Sequence, residues 1–155
     1  TGVLYEHLGL GTFAETDRVL IASAPWGFVR PSDRIPAYRL SMGATLPRIA
    51  SLPALWRDPL RKALPDSGLI VDMRSGSYTA AWKPKHATLV GVRAFVDGKT
   101  VSHMVKATRG DVARLLLTSG STPESPEDVA SLVRANGQSV EVSGSGRSWW
   151  IDINL

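Results

Sequence analysis

The sequence predicts a mixed α/β fold with a central sheet, β-hairpins and short flanking helices. Apolar runs of strand length, such as Gly68–Met73, alternate with polar, turn-rich stretches. Asp97-Gly98 separates two runs rich in β-branched residues, and this dipeptide is a strong signal for a two-residue hairpin turn. Ser125-Pro126-Glu127-Asp128 joins a capping hydroxyl, a proline and two acids, which together favour a helix start.

The first half of the chain contains one predicted strand and one predicted helix. Arg18–Ser23 is mostly apolar and is followed by proline and glycine, so it reads as a buried strand. A helix is predicted to begin at Ser51, with Pro53 in its first turn and a kink at Pro59. The side chains expected to face the core are Leu55, Trp56 and Leu60.

The second half carries the rest of the predicted sheet. After the strand Gly68–Met73, a short turn or helix is expected over Ser77–Trp82. The predicted hairpins pair Ala87–Val96 with Lys99–Val105 and Gln138–Val142 with Ser148–Ile153.

Two helices are predicted between these hairpins. Thr108 is a candidate cap for a helix running to Thr118, and Ser125 caps a second helix ending at Asn136-Gly137. In the final strand Trp149 and Trp150 point to opposite faces, so one ring is expected in the core and the other on the surface.

Length and composition favour a single domain over 1–155. The chain has 155 residues, 43% of them hydrophobic, which suffices for one sizeable core. Without cysteine it has no disulfides, no thiolate metal site and no thiol redox chemistry of its own. No apolar run approaches membrane-spanning length and the first residues lack a signal-peptide pattern, so a cytoplasmic protein without membrane contact is expected.

The stretch from Arg30 to Gly43 is the most unusual part of the chain. It contains two prolines, four charged residues and a tyrosine, a composition too broken for a helix and too polar for a core strand. We expect a rigid, extended connector that holds Arg30, Asp33 and Arg39 in fixed directions, with Asp33 paired to one of these arginines.

Three motifs follow one another along the chain. The first is Arg30-Pro-x-Asp33 followed by Pro36-x-Tyr38-Arg39-x-x-Met42-Gly43. The second is Val71-Asp72-Met73-Arg74-Ser75 with Tyr78 and Lys83-Pro84, and the third is Lys106-x-x-Arg109-Gly110. In this order they resemble the motifs of the YaaA family of bacterial peroxide stress proteins. The resemblance covers the whole chain, although family members are normally longer by about an N-terminal third. It implies DNA binding, ascribed in the family to a helix-hairpin-helix element, and indirect protection against iron-linked oxidative damage.

The residues themselves permit this function without specifying it. The formal net charge is +4, and basic residues cluster at Arg30, Arg34 and Arg39, and again at Lys83 and Lys85. Such clusters bind phosphates with little sequence readout, and they also occur on ordinary solvated surfaces. The helices Thr108–Thr118 and Ser125–Asn136 are a candidate helix-hairpin-helix, but their connection lacks a Gly-hydrophobic-Gly turn and carries acids.

The sequence contains few catalytic signatures. It lacks the HExxH, GxSxG, P-loop and GxGxxG patterns, and His7, His86 and His103 show no metal-ligand spacing. No metal and no cofactor are therefore expected. An N-terminal nucleophile at Thr1 is a weak further hypothesis, since Thr1-Gly2 is better explained as a chain boundary.

A set of anion-binding residues remains. Guanidinium, ammonium and hydroxyl groups beside a helix start suit phosphate or carboxylate, and we identify as candidates Arg39, Ser75, Tyr78, Lys83, Lys106 and Arg109. Two functions are open: a DNA-binding surface, or an enzyme or small-ligand protein with an anionic substrate in a cleft lined by Arg39, Tyr78, Lys106 and Arg109. A structural alternative is that Tyr78 packs at the core edge and Lys106 pairs with Asp72 or Asp111.

Overall fold

The computed structural model describes residues 2–13, 17–101 and 104–155. Thr1 and His103, which were considered as functional groups, lie outside the described residues. The chain forms two compact units. We call the first, made of Thr1–Thr12, Asp66–Met73 and His86–Leu155, the sheet unit, and the second, made of Phe13–Pro65 and Arg74–Lys85, the hairpin unit. A single domain over 1–155 stays a prediction.

The elements confirm the predicted mixed α/β class. The helices are α1 (Val3–Leu8), α2 (Leu52–Ala63), α3 (Gly76–Thr79), α4 (Val105–Thr118) and α5 (Pro126–Ala135), with a 3-10 turn at Leu10–Thr12. The strands are β1 (Ile21–Ser23), β2 (Gly27–Val29), β3 (Leu69–Asp72), β4 (Thr88–Val96), β5 (Lys99–Thr100), β6 (Ser139–Ser145) and β7 (Ser148–Asn154).

The sheet unit is built on a mixed sheet in the order β3-β4-β7-β6, with β5 added to the end of β4. β4 runs parallel to both β3 and β7, while β6 and β7 form an antiparallel hairpin. One face of this sheet packs against α4 and α5 in a core that contains Val92, Val112, Val129, Ile151 and Ile153. Burial of this apolar surface is the main stabilising contribution in the unit.

The opposite face of the sheet carries a polar network. Arg93 donates to Asp152 through Nε and Nη2, both at 2.6 Å, and through Nη2 to the Ser143 hydroxyl at 2.9 Å. The Ser143 hydroxyl in turn donates to Asp152 at 2.7 Å. The guanidinium lies near the rings of Trp150 and Phe95, at 4.9 and 5.6 Å from their centroids. Burial raises the pKa of Asp152, but the bonds from Arg93 and Ser143 outweigh it and hold that pKa below its usual range.

The turn and helix-cap signals in the sequence predicted several element boundaries correctly. Asp97 and Gly98 have φ of 48° and 73° and join β4 to β5, as the hairpin signal predicted, although β5 is shorter than expected. Ser125 and Asp128 form a reciprocal capping box at the start of α5. Trp149 packs against the core and Trp150 is 38% exposed, which confirms the expected split.

The predicted start of α4 was wrong. The helix begins at Val105 rather than after Thr108, and Met104 precedes it without a side-chain cap. Thr108 is buried inside the helix, where its hydroxyl donates to the Met104 carbonyl at 3.2 Å. Gly110 lies in the interior because a Cβ there would come within 2.5 Å of the Leu4 carbonyl oxygen, so glycine permits the close approach of α1.

The hairpin unit contains the β1–β2 hairpin and α2. Ser51 caps α2 as predicted, since its hydroxyl accepts from the Ala54 N–H at 3.2 Å, and the helix continues through Pro59. Leu60 is buried, but Leu55 is 52% exposed and does not face the core as expected. β1 is limited to three residues of the longer run that the apolar pattern suggested.

Candidate functional site

The Arg30–Gly43 segment follows β2 in the hairpin unit and contains no helix or strand, and its residues are exposed from Ser32 to Arg39. It opens with a tight turn. The Arg30 N–H donates to the Asp33 carboxylate at 2.7 Å, and the Asp33 N–H donates to the Arg30 carbonyl at 3.0 Å. Within residues 2–13, 17–101 and 104–155 Asp33 makes no ion pair, so the expected pairing with an arginine guanidinium is wrong. A short acidic side chain closes the turn through the backbone instead.

The far end of the segment is anchored by buried groups. The Tyr38 hydroxyl lies 2.8 Å from the hydroxyl of Ser23, which is fully buried. Met42 is 1% exposed, and Gly43 faces the Ser77 side chain. Arg39 lies between Tyr38 and Met42 and is itself exposed, with no ion pair among the described residues. The segment therefore presents Arg39 to solvent from a fixed backbone.

The predicted residues around α3 lie in the same unit. Arg74 stacks near the rings of Phe28 and Trp82, at 5.6 and 5.2 Å from their centroids, and donates to the Tyr78 carbonyl at 3.2 Å. Tyr78 is half-buried. The hydroxyl of Ser75 is exposed and does not cap α3, and Lys83 is exposed directly after the buried ring of Trp82.

Lys106 and Arg109 belong to the sheet unit and lie inside α4 rather than before it, Lys106 in the first turn and Arg109 in the second. Lys106 is exposed. Arg109 is half-buried and its Nε donates to the Val92 carbonyl at 3.1 Å. Burial lowers the pKa of Arg109, and the negative charge of Asp72 opposes that shift. Arg109 is therefore bound within its own unit, whereas Lys106 faces solvent.

Asp111, the other expected partner of Lys106, is occupied elsewhere. Its carboxylate lies 2.8 Å from Nδ1 of His7 on α1. No group of three His, Asp or Glu side chains that could hold a metal ion occurs in the described ranges. None of the helices described is long and apolar enough to cross a membrane.

Comparison with known proteins identifies the family. The family model described as peroxide stress protein YaaA matches residues 1–141. The chain belongs to this family. It is 40% identical to a UPF0246 protein of Streptomyces coelicolor over 170 aligned positions, covering 99% of this chain and 65% of that protein. A UPF0246 protein of Corynebacterium glutamicum is 38% identical, covering 91% of this chain and 62% of that protein.

An uncharacterised protein of Campylobacter jejuni is 30% identical over 119 aligned positions, which cover 71% of this chain and 48% of that protein. This YaaA-family chain thus spans less than two thirds of the length of the relatives it matches. The three motifs noted in the sequence all lie inside the residues that the family model matches.

Charge is divided unequally between the two units of this YaaA-family chain. The hairpin unit has eleven Arg and Lys against four Asp and Glu, a formal net charge of +7. The sheet unit has seven Arg and Lys against ten Asp and Glu, a net charge of −3. The total of +4 conceals this division, since the hairpin unit is assembled from two separate stretches of sequence.

The candidate helix-hairpin-helix lies in the sheet unit, whose net charge is negative. α4 and α5 are joined through residues 119–125, and Glu124, Glu127 and Asp128 cluster at the start of α5. The Asp128 carboxylate accepts from the N–H groups of Glu124 and Ser125, which lowers the pKa of Asp128 and keeps it charged. Three carboxylates here disfavour contact with phosphate.

Sequence reasoning missed three residues that shape the hairpin unit. Ser23 hydrogen-bonds to Tyr38, Arg74 contacts the rings of Phe28 and Trp82, and Trp26 is exposed at the β1–β2 turn. Only Trp26 had a usable signal, because an aromatic residue between Pro25 and Gly27 indicates a turn that displays its side chain.

Proposed function

We propose that this chain acts in the bacterial peroxide stress response by binding DNA phosphates through the hairpin unit. The observation that carries the proposal is the net charge of +7 in that unit. Arg30, Arg34, Arg39 and Lys83 are exposed there and form no ion pair among the described residues. Cations in this condition lose little when they exchange water for phosphate, and they release condensed counterions from the duplex.

The anchored segment gives such binding a fixed geometry. Tyr38 and Met42 hold the backbone on either side of Arg39, so its guanidinium is positioned at little further cost in backbone entropy. An arginine fork offers two parallel donors to one phosphate, while Lys83 contributes a point charge and the Ser75 hydroxyl a directed donor. Contacts of this kind read the backbone rather than the base sequence.

The protection would be indirect. The chain has no cysteine to react with peroxide. Cationic side chains that neutralise phosphates displace the condensed cations around DNA, and ferrous iron is among the cations that such an atmosphere attracts. Bound protein would therefore lower the amount of iron held against the DNA, where peroxide turns it into a damaging oxidant. The proposed location is accordingly the cytoplasm, together with the chromosome.

A small anionic ligand is the second candidate. It is favoured by the fixed placement of Arg39, which non-specific phosphate binding does not require. Within the hairpin unit, Tyr78 and Ser75 would then serve as hydroxyl donors to a phosphate- or carboxylate-bearing molecule. Lys106 and Arg109 belong to the sheet unit and are not assigned to this site, and the Nε of Arg109 is already bonded to the Val92 carbonyl.

A salt titration of a short labelled duplex tests the leading proposal. The logarithm of the binding constant should fall with the logarithm of salt concentration, with a slope of about −0.9 per phosphate contact. Arg39→Ala and Lys83→Ala should each weaken binding and make the slope shallower by about 0.9. Lys99→Ala is the matched control, because Lys99 is an exposed cation at the β4–β5 turn of the sheet unit.

Three outcomes separate the candidates. Loss of slope in the two hairpin-unit variants and not in Lys99→Ala supports DNA binding by the hairpin unit. No duplex binding at low salt overturns it. Weak duplex binding that a low concentration of inorganic phosphate abolishes favours the small-ligand candidate.

A further inference from the structure

An open groove of about 370 Å³ lies beside the Arg30–Gly43 segment in the hairpin unit. Five of its seven lining residues are apolar, and the other two are an acid and a base. The lining residues that matter here are Trp26, Phe28, Ile35 and Pro36, together with Asp33 and Arg34. A groove of this volume is at the lower end of the range that small ligands or their aromatic parts occupy.

Among the described residues, Trp26 is the tryptophan whose ring makes no hydrogen bond, ring–ring contact or cation–π contact. The other four rings are in use: Trp56 donates to the Ala24 carbonyl at 2.8 Å, Trp82 packs edge-to-face on Phe28, Trp149 lies against the core, and Trp150 stacks on Arg93. Trp26 is 46% exposed, the highest value among the five. An exposed indole in a groove is costly in water and is typical of a binding surface.

The turn that displays Trp26 is held in place. The Trp26 N–H donates to the buried Ser23 hydroxyl at 3.3 Å, and the carbonyl of Ala24 accepts from Trp56. Gly27 has φ of +72°, and a Cβ there would come within 2.8 Å of the Trp56 ring. The backbone on both sides of Trp26 is therefore fixed, so the indole needs little reorganisation before binding.

Charge decides which aromatic ligand fits. Arg34 lines the groove, Arg30 and Arg39 lie on the same segment, and all three are exposed without an ion pair among the described residues. The ligand must then pair a flat apolar surface with negative charge. Asp33 adds an acceptor, since only one of its carboxylate oxygens is bonded to the Arg30 N–H.

We propose that this groove is a nucleobase subsite, in which an unpaired base of a DNA strand stacks on Trp26. Arg34 contacts the phosphate next to that base, and Asp33 accepts from an amino or imino N–H on its edge. The inference rests on the proposed DNA-binding function and extends it from duplex phosphates to strands with unpaired bases. Aromatic stacking of this kind tolerates any base, because every base has a π face.

The test compares two single strands of equal length and phosphate number, one with bases and one fully abasic, against the full chain. The strand with bases should bind more tightly by about 5- to 150-fold, the range expected from one base stacked on an aromatic ring. Trp26→Ala should remove this difference without changing binding of the abasic strand, and Trp26→Phe should keep part of it. Leu55→Ala is the matched control, because Leu55 is an exposed apolar residue of the same unit at 52% and does not line the groove.

The outcomes distinguish the two proposals. If the strands bind equally, or if Trp26→Ala behaves like Leu55→Ala, the subsite is wrong while duplex binding stands. If neither the strands nor a duplex bind at low salt, the DNA-binding function fails and the subsite fails with it. A folding defect in Trp26→Ala would show in its melting temperature, and Trp26→Phe then decides the question by its own ratio of the two affinities.

Discussion

Replacing Asp152 by asparagine should destabilise the protein at neutral pH and have no effect in strong acid. The substitution keeps the shape of the side chain but removes the charge that Arg93 and Ser143 recognise. It also puts amide N–H donors opposite the guanidinium N–H groups, where two donors meet without an acceptor.

The structure sets the size of the effect. The Asp152 side chain is 13% exposed and accepts three hydrogen bonds, whereas Arg93 is 35% exposed and can recover water once its partner is lost. A hydrogen-bonded charged group in such a site contributes about 1.5–3 kcal/mol, and the three bonds act as one unit rather than adding. For a chain of this length the melting temperature should fall by about 3–12 °C.

The pH dependence follows from the direction of the Asp152 shift. Its pKa in the folded protein is held below that of the unfolded chain, near 3.9 for an ordinary aspartate. The stabilisation is therefore complete above that unfolded value and disappears as pH falls through the folded pKa. The melting temperatures of the parent protein and Asp152→Asn should differ at pH 7 and converge in acid.

Calorimetric or circular dichroism melts at several pH values measure this, with Glu141→Gln as the control. Glu141 pairs opposite Asp152 on β6, is exposed and has no ion pair among the described residues. Loss of its charge removes a cross-strand repulsion, so Glu141→Gln should not melt below the parent at neutral pH. A difference for Asp152→Asn that stays constant from neutral pH into acid would refute the reasoning, because the loss would then not depend on ionisation.

Two further predictions separate structural from exposed charges. Asp33→Ala should lower the melting temperature by a few degrees, since the bond to the Arg30 N–H contributes about 0.5–1.5 kcal/mol. Asp33→Asn keeps an acceptor for this bond and should melt close to the parent. Equal losses of melting temperature in both variants would restore the ion-pair hypothesis. Arg109→Ala should destabilise the fold by about 1–3 kcal/mol through loss of its bond to a buried carbonyl, whereas Lys106→Ala should stay within about 0.5 kcal/mol of the parent, as denaturant titration would measure.

Local chemistry explains which parts of the fold the sequence predicted. The Asp97-Gly98 turn and the Ser125 capping box depend on a few adjacent residues, so their signals survive without knowledge of the rest of the chain. The start of α4 could not be predicted in this way. Thr108 has the chemistry of a cap, but burial inside the helix gives its hydroxyl a partner four residues earlier.

The candidate site divides along the same line. Proline content and charge predicted an extended segment that displays Arg39, and the structure has that segment exposed. The predicted partner of Asp33 was wrong because its carboxylate accepts from the backbone N–H of Arg30, which lies within the same four-residue turn. Such a turn is closed locally and requires no guanidinium. The hydroxyl of Ser23 could not be foreseen as the anchor of Tyr38, since fifteen residues separate them.

The unequal charge of the two units is the main support for the proposed function, and it too depends on the fold. Along the chain basic residues cluster at Arg30, Arg34 and Arg39 and at Lys83 and Lys85, but the total net charge of +4 is ordinary for a basic protein. The fold gathers Phe13–Pro65 and Arg74–Lys85 into one unit and leaves most of the acids in the other. Attraction to a polyanion depends on the local field within about a Debye length, roughly 8 Å at physiological salt, rather than on the total. The hairpin unit should therefore bind DNA far better than the net charge suggests, and α4 and α5 should bind it worse than two helices with a connecting turn would suggest.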